Sequence, residues 1–191
     1  MSALRRAWIW LKRCRHSRGF GIQSPWAYRF VRYVVNEHWP YYAYDRLRSE
    51  SANMPKDQQR LARLYFRLAN MRQPRVVIDK LGPQSPYAPY FAAGCNKARI
   101  DSSDALRPNS AIELLRLTAG TDAESLLQQA IAGADANTII VMEGIADSSA
   151  AREQWQRVVN NEQCITTFDL YYCGIIFFDR KRYKQHYIIN F

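Results

Sequence analysis

Residues 76–191 alternate short apolar runs, several of them rich in β-branched residues, with segments of helical period, and this alternation constrains the fold more than any other feature. Buried strands are predicted at 76–79, 98–101, 112–117, 138–142, 165–170, 174–178 and 186–191. Helices are predicted at about 87–93, 123–132 and 148–160, with Asp122 and Ser148 or Ser149 as N-caps of the last two. Because two late runs lie close together, they predict an antiparallel strand pair. The pattern is typical of an α/β protein with a mostly parallel sheet.

Composition places the 191-residue chain among globular proteins. It is 48% hydrophobic and 23% charged, which excludes wholesale disorder and collagen-like sequences. Reduced, buried thiols are predicted at Cys14, Cys95, Cys164 and Cys173, because their spacing fits neither a disulfide scaffold nor a zinc site. The longest apolar run near the N-terminus, residues 7–11, is too short for a signal sequence, so we expect a soluble, cytoplasmic protein.

Charge divides the chain into two unlike parts. Residues 1–75 contain 16 Lys or Arg and 4 Asp or Glu, whereas residues 76–191 contain 11 and 13. The net charge of +12 in front predicts an anionic partner for that part. We therefore expect a basic, aromatic-rich helical extension at 1–54, followed by a Rossmann-like domain at 55–191.

The N-terminal segment 4–15 predicts a basic amphipathic helix. Leu4, Ala7, Trp8, Leu11 and Cys14 recur at helical spacing, and most of the cations lie off that stripe. Such a helix either lies on an anionic membrane surface or contacts nucleic-acid phosphates, or it packs on the domain with its cationic face in solvent. A second helix is predicted from the Ser24–Pro25 cap to about Glu37, before an aromatic cluster at 39–44.

The clearest amphipathic helix is predicted between residues 55 and 72. Its cations form a stripe that either meets phosphates or an acidic partner or is simply a solvated face. Together with the first helix it gives a candidate basic surface made of Arg5, Arg6, Lys12, Arg13, Lys56, Arg60, Arg63 and Arg67.

Candidate cofactor ligands lie at the ends of the first two predicted strands. Asp79 and Asp101 are 22 residues apart, close to the spacing at which Rossmann-like folds place a turn over a nucleoside and an acid on its ribose. The turn after Asp79 contains Gly82 but also three prolines between 79 and 89. Glu143 ends the strongest strand, where it is either a weak candidate for a general base or a helix-capping or solvated acid. No metal site is predicted.

Two stretches of the chain resemble the class I S-adenosylmethionine-dependent methyltransferase-like proteins common in Bacteroidetes. The first is Gly21-Ile22-Gln23-Ser24-Pro25-Trp26-Ala27-Tyr28-Arg29-Phe30 with Tyr41-Tyr42-Ala43-Tyr44. The second comprises Trp155, Thr167-Phe168-Asp169-Leu170, Gly174-Ile175-Ile176-Phe177-Phe178 and Lys184-Gln185-His186-Tyr187. The resemblance implies a methyltransferase fold, with S-adenosylmethionine held near Asp79, Gly82 and Asp101.

The chain departs from that family at two places. The two glycines of the family's cofactor turn cannot both be aligned with residues 79–89. One strand–helix unit is missing between Leu117 and Thr138, which implies six sheet strands rather than seven. Two functions stay open: a methyltransferase with an unknown acceptor, and a non-catalytic protein whose basic N-terminal part binds an acidic protein, nucleic acid or a membrane. A homodimer through the N-terminal helices is compatible with either.

Overall fold

A seven-stranded sheet runs through the centre of the protein. The computed structural model describes residues 3–16, 19–105 and 112–191. The strands are β1 (Val76–Asp79), β2 (Arg99–Ser102), β3 (Leu114–Thr118), β4 (Ile139–Glu143), β5 (Thr166–Asp169), β6 (Cys173–Phe177) and β7 (Gln185–Ile188). Their order across the sheet is β2-β1-β3-β4-β6-β5-β7.

The first four strands are parallel, whereas β6 is antiparallel to both neighbours, β4 and β5. The predicted α/β class, the mostly parallel sheet and the antiparallel C-terminal pair are therefore confirmed. The expectation of six strands is wrong. A single helix does connect β3 to β4, but the C-terminal segment adds β7, which lies parallel to β5 at the edge.

Helices cover both faces of the sheet. They are α1 (Ala3–Lys12), α2 (Pro25–Phe30), α3 (Ala43–Glu50), α4 (Lys56–Arg72), α5 (Ala88–Gly94), α6 (Glu124–Ala132) and α7 (Ser149–Asn160). Apolar residues of α2, α4 and α5 share one core cluster with Val77, Leu114 and Val141 of the sheet. Residues of α6 and α7 form a second cluster on the opposite face. The helix that follows β1 (α5) therefore lies on one face of the sheet, and the helix that follows β3 (α6) lies on the other. Between two such neighbouring strands a crevice forms at the carboxyl ends, where α/β proteins hold ligands.

Two of the predicted caps begin helices as expected. The Ser24 and Ser148 side chains accept hydrogen bonds from the backbone N–H groups of Ala27 and Ala151. The prediction for Asp122 is wrong, because this residue lies in a 3₁₀ turn (Thr121–Ala123) and Ala123 is the N-cap of α6 without a side-chain bond.

Aromatic packing joins the N-terminal helices to the sheet. The Phe30 ring centroid lies 4.7 Å from that of Phe168 and 5.0 Å from that of Phe177. On the other face, Gly174 of β6 permits Trp155 of α7 to approach the strand, since a Cβ at this glycine would lie 2.3 Å from the indole ring. These contacts fix the layers against each other over both faces.

The thiols differ from the sequence prediction at one position. Cys95, Cys164 and Cys173 are buried, but Cys14 is exposed. Among the described residues, no helix combines the length and the apolar character needed to cross a bilayer.

Candidate functional site

A buried polar network lies where a ligand crevice would open, at the carboxyl ends of β1, β3 and β4. Its members are Asp79, Arg116, Glu143 and Tyr65, and we call it the Arg116 network. Asp79 and Glu143 end their strands, Arg116 lies on β3 between them, and Tyr65 reaches the edge from α4. The network therefore draws on three strands and a helix.

The Arg116 guanidinium links the two carboxylates. Its Nη1 lies 3.4 and 3.3 Å from the two Asp79 carboxylate oxygens, and its Nη2 donates to Glu143. Asp79 also accepts hydrogen bonds from the Leu81 backbone N–H (3.0 Å) and the Ser85 hydroxyl (3.1 Å). Each carboxylate oxygen of Asp79 is thus already engaged within the protein.

Arg116 stays charged and Tyr65 stays protonated within the Arg116 network, and the ring of Tyr87 covers the guanidinium. Burial opposes the charge on Arg116, but the hydrogen bond to Glu143 and its negative charge outweigh burial and raise the pKa of Arg116. Burial, followed by the charge of Glu143, raises the pKa of Tyr65, so its hydroxyl stays protonated and donates to that carboxylate. The Tyr87 ring lies 4.7 Å from the Arg116 guanidinium and covers it. The Arg116 Nε is buried and has no hydrogen-bond partner within the described part of the chain.

Glu143 is neither a helix-capping nor a solvated acid, the two alternatives to a general base that the sequence predicts. It caps no helix and is not solvated, because it is buried and both of its oxygens accept hydrogen bonds, from Arg116 and from Tyr65. A base must reach a substrate proton directly or through one water. Glu143 instead faces the protein's own side chains.

The structure does not bring Asp79 and Asp101 together. Asp101 lies opposite Ile78 in the sheet register, so its side chain points to the face opposite that of Asp79. It pairs instead with Arg99, two residues earlier on the same strand, at 2.8 Å.

The turn after β1 lies tightly against the end of β2. Gly82 adopts a φ of +54°, and a Cβ there would lie 2.9 Å from the Ser102 backbone nitrogen. A nucleoside in a Rossmann-like fold lies over this turn. Here the backbone of 82–84 folds into a 3₁₀ turn at that position.

A separate cleft of about 690 Å³ opens beside this edge of the sheet. It lies between residues that follow β1, β2 and β3 and the first turns of α6. Polar lining residues include Lys80, Ser103, Asp104, Thr118, Asp122 and Gln129. The four residues of the Arg116 network do not line this cleft, which leaves room for a small ligand beside the carboxyl ends of β1, β2 and β3.

The larger cavity, about 1000 Å³, lies away from the sheet, between α3, α4 and the chain at 35–42. We call it the basic cleft. Five cationic side chains line it: Arg48, Lys56, Arg60, Arg63 and Arg67. Three carboxylates, Glu37, Asp45 and Asp57, also line it, and Glu37 caps the backbone N–H groups of His38 and Trp39. The aromatic lining comprises Trp39, Tyr41, Tyr42, Tyr44 and Phe191.

Aromatic rings position the guanidinium groups of the basic cleft. Arg60 lies 4.7 Å from the Phe191 ring centroid and Arg63 lies 5.6 Å from that of Tyr44. Burial lowers the pKa of Arg60, but a guanidinium stays charged at neutral pH. Neither arginine forms an ion pair within the described residues.

Arg67 is buried, although the sequence placed it on an exposed or partner-binding stripe. It donates to the carbonyl oxygens of Val34 and Val35, where the π-helical turn Val31–Val35 ends, and to the Tyr44 hydroxyl. Carbonyls at a helix end need such donors. Arg67 therefore holds the cleft wall and adds a positive charge beneath it.

Of the other predicted basic residues, Lys12 and Arg13 do not line the cleft. Arg13 is mostly buried and forms an ion pair with Asp169 at 2.8 Å, so it is not part of a free surface. Lys12 is exposed, with its Nζ 5.0 Å from the Trp8 ring centroid. The side chains of Arg5 and Arg6 lie outside the described part of the structure. The structure thus unites Lys56, Arg60, Arg63 and Arg67 and separates them from the first helix.

No protein-family model, curated protein or solved structure matches the chain. The resemblance to methyltransferase-like proteins thus stays a prediction, and function is inferred from the residues. Within the described ranges, no group of three or more His, Cys, Asp or Glu could hold a metal ion.

Sequence reasoning missed Arg116, Tyr65 and the closing residues of the cleft, Tyr44 and Phe191. A signal for Arg116 was present, because an arginine between leucines in a buried strand needs a carboxylate partner. The two acids that end the neighbouring strands are those partners. The closure of the cleft by Phe191, far away in sequence, has no comparable local signal.

Proposed function

We propose that this chain is a non-catalytic binding protein that recognises a nucleotide, either free or within a single strand of nucleic acid, in the basic cleft. The observation that carries the proposal is the combination of five cations with five aromatic rings around a cavity of about 1000 Å³. One arginine guanidinium can donate two parallel hydrogen bonds to a phosphate group, and aromatic faces stack on bases. The basic cleft therefore contains groups that could bind the phosphate and groups that could stack on the base of a nucleotide.

Arg60 and Arg63 are the phosphate ligands in this proposal. A ring lies against each guanidinium, and neither arginine forms an ion pair with another described residue, although the nearby Asp57 charge acts on Arg60. Their N–H groups can therefore donate to an anion. Trp39 is 69% exposed and Tyr42 fully exposed, so both are available to stack on a base. The Arg116 network supports the absence of catalysis in this proposal, because protein side chains fill the crevice at the carboxyl ends of β1 and β3.

The test measures the anisotropy of a fluorescent oligothymidylate and, by calorimetry, the binding of AMP. We expect Arg60→Ala/Arg63→Ala to weaken binding about ten-fold or more, because each charged hydrogen bond contributes on the order of 1.5–3 kcal/mol. Arg29→Ala/Arg32→Ala removes the same charge from exposed positions outside the cleft and should bind like the parent. An equal loss in both double variants would refute a site in the cleft.

A third variant separates geometry from charge. Arg60→Lys/Arg63→Lys keeps both charges but loses the planar donor pairs, so we expect an intermediate affinity. The oligonucleotide and AMP arms distinguish a strand-binding site from a site for free nucleotides.

The second candidate is an S-adenosylmethionine-dependent methyltransferase with an unknown acceptor. The 690 Å³ cleft beside the carboxyl ends of β1, β2 and β3 favours it, because this edge is where α/β folds hold cofactors. Calorimetric titration of S-adenosylmethionine and S-adenosylhomocysteine tests it. Micromolar binding that Asp104→Ala, a change in the lining of this cleft, abolishes would support the enzyme, and no binding to the folded protein would remove it.

A further inference from the structure

The apolar side of α1 faces away from the protein. Trp8, Trp10 and Leu11 are 58%, 60% and 56% exposed, and Ala7 is also exposed. Ile9, in contrast, is partly buried. This orientation differs from that of a helix that packs its apolar face on a domain and turns its cations outward.

Helical geometry places these exposed residues on one side. At 3.6 residues per turn, Ala7, Trp8, Trp10 and Leu11 fall within an arc of about 160°. Lys12 follows at the border of this arc, next to Trp8. The exposed face therefore consists of two indoles and a leucine with a cation beside them.

The opposite side of α1 is attached to the sheet. Just after the helix, Arg13 binds Asp169 through an ion pair and donates to the Asp169 and Ile189 carbonyl oxygens at 3.1 and 3.4 Å. The Asn190 side chain donates to the Trp10 carbonyl oxygen at 3.4 Å. These contacts fix which side of the helix is presented.

The net positive charge of the chain favours an anionic partner for the exposed face of α1. Residues 1–75 carry a net charge of +12 and the whole chain +10, so a second copy would meet a surface of the same sign. An anionic bilayer has the complementary charge. Tryptophans prefer the headgroup region, and an interfacial helix needs both apolar and electrostatic contributions to bind well.

We propose that α1 docks the protein on an anionic phospholipid surface, with Trp8, Trp10 and Leu11 inserted at the boundary between headgroups and acyl chains. The helix lies in the plane of the membrane surface and does not span it. This surface is distinct from the basic cleft, so the proposal stands apart from nucleotide binding.

The experiment is co-sedimentation of the full-length protein with vesicles of phosphatidylcholine alone or mixed with phosphatidylserine. We expect binding to the mixed vesicles, weakened by salt, and little binding to the neutral ones. Trp8→Ser/Trp10→Ser should lower the affinity about ten-fold or more, since both indoles lose their apolar contact. Tyr33→Ser/Tyr183→Ser removes two exposed rings outside α1 and should leave vesicle binding unchanged.

A spectroscopic readout locates the helix directly. Brominated phosphatidylcholine in the mixed vesicles should quench tryptophan fluorescence of the parent and of the tyrosine double variant, but much less in Trp8→Ser/Trp10→Ser. Equal binding by both double variants, or no binding to mixed vesicles, would overturn the proposal. So would a parent dimer, seen by light scattering, that Trp8→Ser/Trp10→Ser converts to a monomer, because a second copy would then cover the face.

Discussion

Arg116 shows how one residue can close a potential ligand crevice. It lies between leucines in β3, and carboxylates at the ends of both neighbouring strands neutralise its charge. Its guanidinium lies at the carboxyl ends of β1 and β3, where another α/β protein would hold part of a ligand. Under the proposed non-catalytic function, Arg116 excludes a ligand from this space. In the fold it pairs with two buried acids.

We predict that Arg116→Met lowers the free energy of unfolding by about 3–5 kcal/mol, because it leaves two buried carboxylates without their cation. Urea denaturation at neutral pH measures the change. Arg75→Met is the control, since the Arg75 side chain is 88% exposed in its pair with Glu113 and should cost less than about 1 kcal/mol. Similar losses for the two variants would contradict the burial argument.

The sequence predicted the positions of Asp79 and Glu143 at strand ends but not their partners. Strand ends follow from short apolar runs, which are local in the chain. The contacts of Asp79 with Arg116 depend on which strands are neighbours and on a register that no local pattern specifies. The burial of Arg67 escaped prediction for the same reason, because its acceptors, Val34 and Val35, belong to another helix.

At the scale of elements, Asp169 joins a strand end to two helical segments. Its buried carboxylate binds Arg13 after α1 at 2.8 Å and Arg152 of α7 at 2.6 Å. Burial alone would raise the pKa of Asp169, but the charges of Arg13 and Arg152 outweigh burial and lower it. The carboxylate thus stabilises the fold in its ionised form.

We predict that Asp169→Asn lowers the free energy of unfolding by about 2–3 kcal/mol at neutral pH, because two charged hydrogen-bond networks lose their acceptor. A lowered pKa in the folded state makes this contribution complete above about pH 4 and lost as the pH falls through the folded value. Urea denaturation between pH 7 and pH 3 should show the gap to the parent closing below about pH 4.

Asp122→Asn is the matched control for Asp169→Asn. Asp122 is exposed and has no ion pair within the described residues, so this variant should follow the parent at every pH. A gap that stays constant down to pH 3 for Asp169→Asn would mean that the ionised carboxylate is not the source of its contribution.

Local signals predicted most elements within two or three residues. The α4 helix (Lys56–Arg72) follows its apolar period, and Ser24 and Ser148 are caps that act over three residues. There are two exceptions. The helix α3 (Ala43–Glu50) was not predicted, and the helix predicted to Glu37 instead changes to a π-helical turn at Val31–Val35. That change places the carbonyls of Val34 and Val35 toward Arg67, a tertiary contact.

For the whole molecule, α2, the π-helical turn after it and α3 share one core with the sheet. Ala27, Phe30, Val31 and Val35 belong to the same buried cluster as Leu64 and Phe168. A helical extension with few contacts would unfold separately, whereas a shared core couples both parts.

We predict a single cooperative transition, in which far-UV circular dichroism and tryptophan fluorescence coincide in urea. Phe30→Ala should shift both signals together and cost about 3–4 kcal/mol, because it leaves a cavity between α2 and the sheet. Phe20→Ala, at a position that is 82% exposed, should change stability little. Two separate transitions, with Phe30→Ala affecting only the first, would show that the extension folds independently.

The number of strands was the largest error in the predicted architecture. The comparison with a family pattern led to six strands, since it counted a unit missing between β3 and β4. The run 186–191, which the residue pattern predicts as a buried strand, pairs with β5 over residues 185–188 as a seventh strand, and its residues there are mostly exposed. A family pattern indicates which strands and helices to expect, but the number of strands in the sheet depends on which segments form hydrogen bonds at its edges.

The pairing of Arg13 with residues near 169 and 189 also sets an order of events during synthesis. These contacts span 156 and 176 residues of sequence. The first helix emerges from the ribosome long before its acceptors exist, and contacts of such separation form slowly. Nascent chains therefore expose Trp8, Trp10 and Leu11 until residues 169 and 189 have been synthesised, and chaperones that bind apolar, basic segments can bind this stretch during that interval.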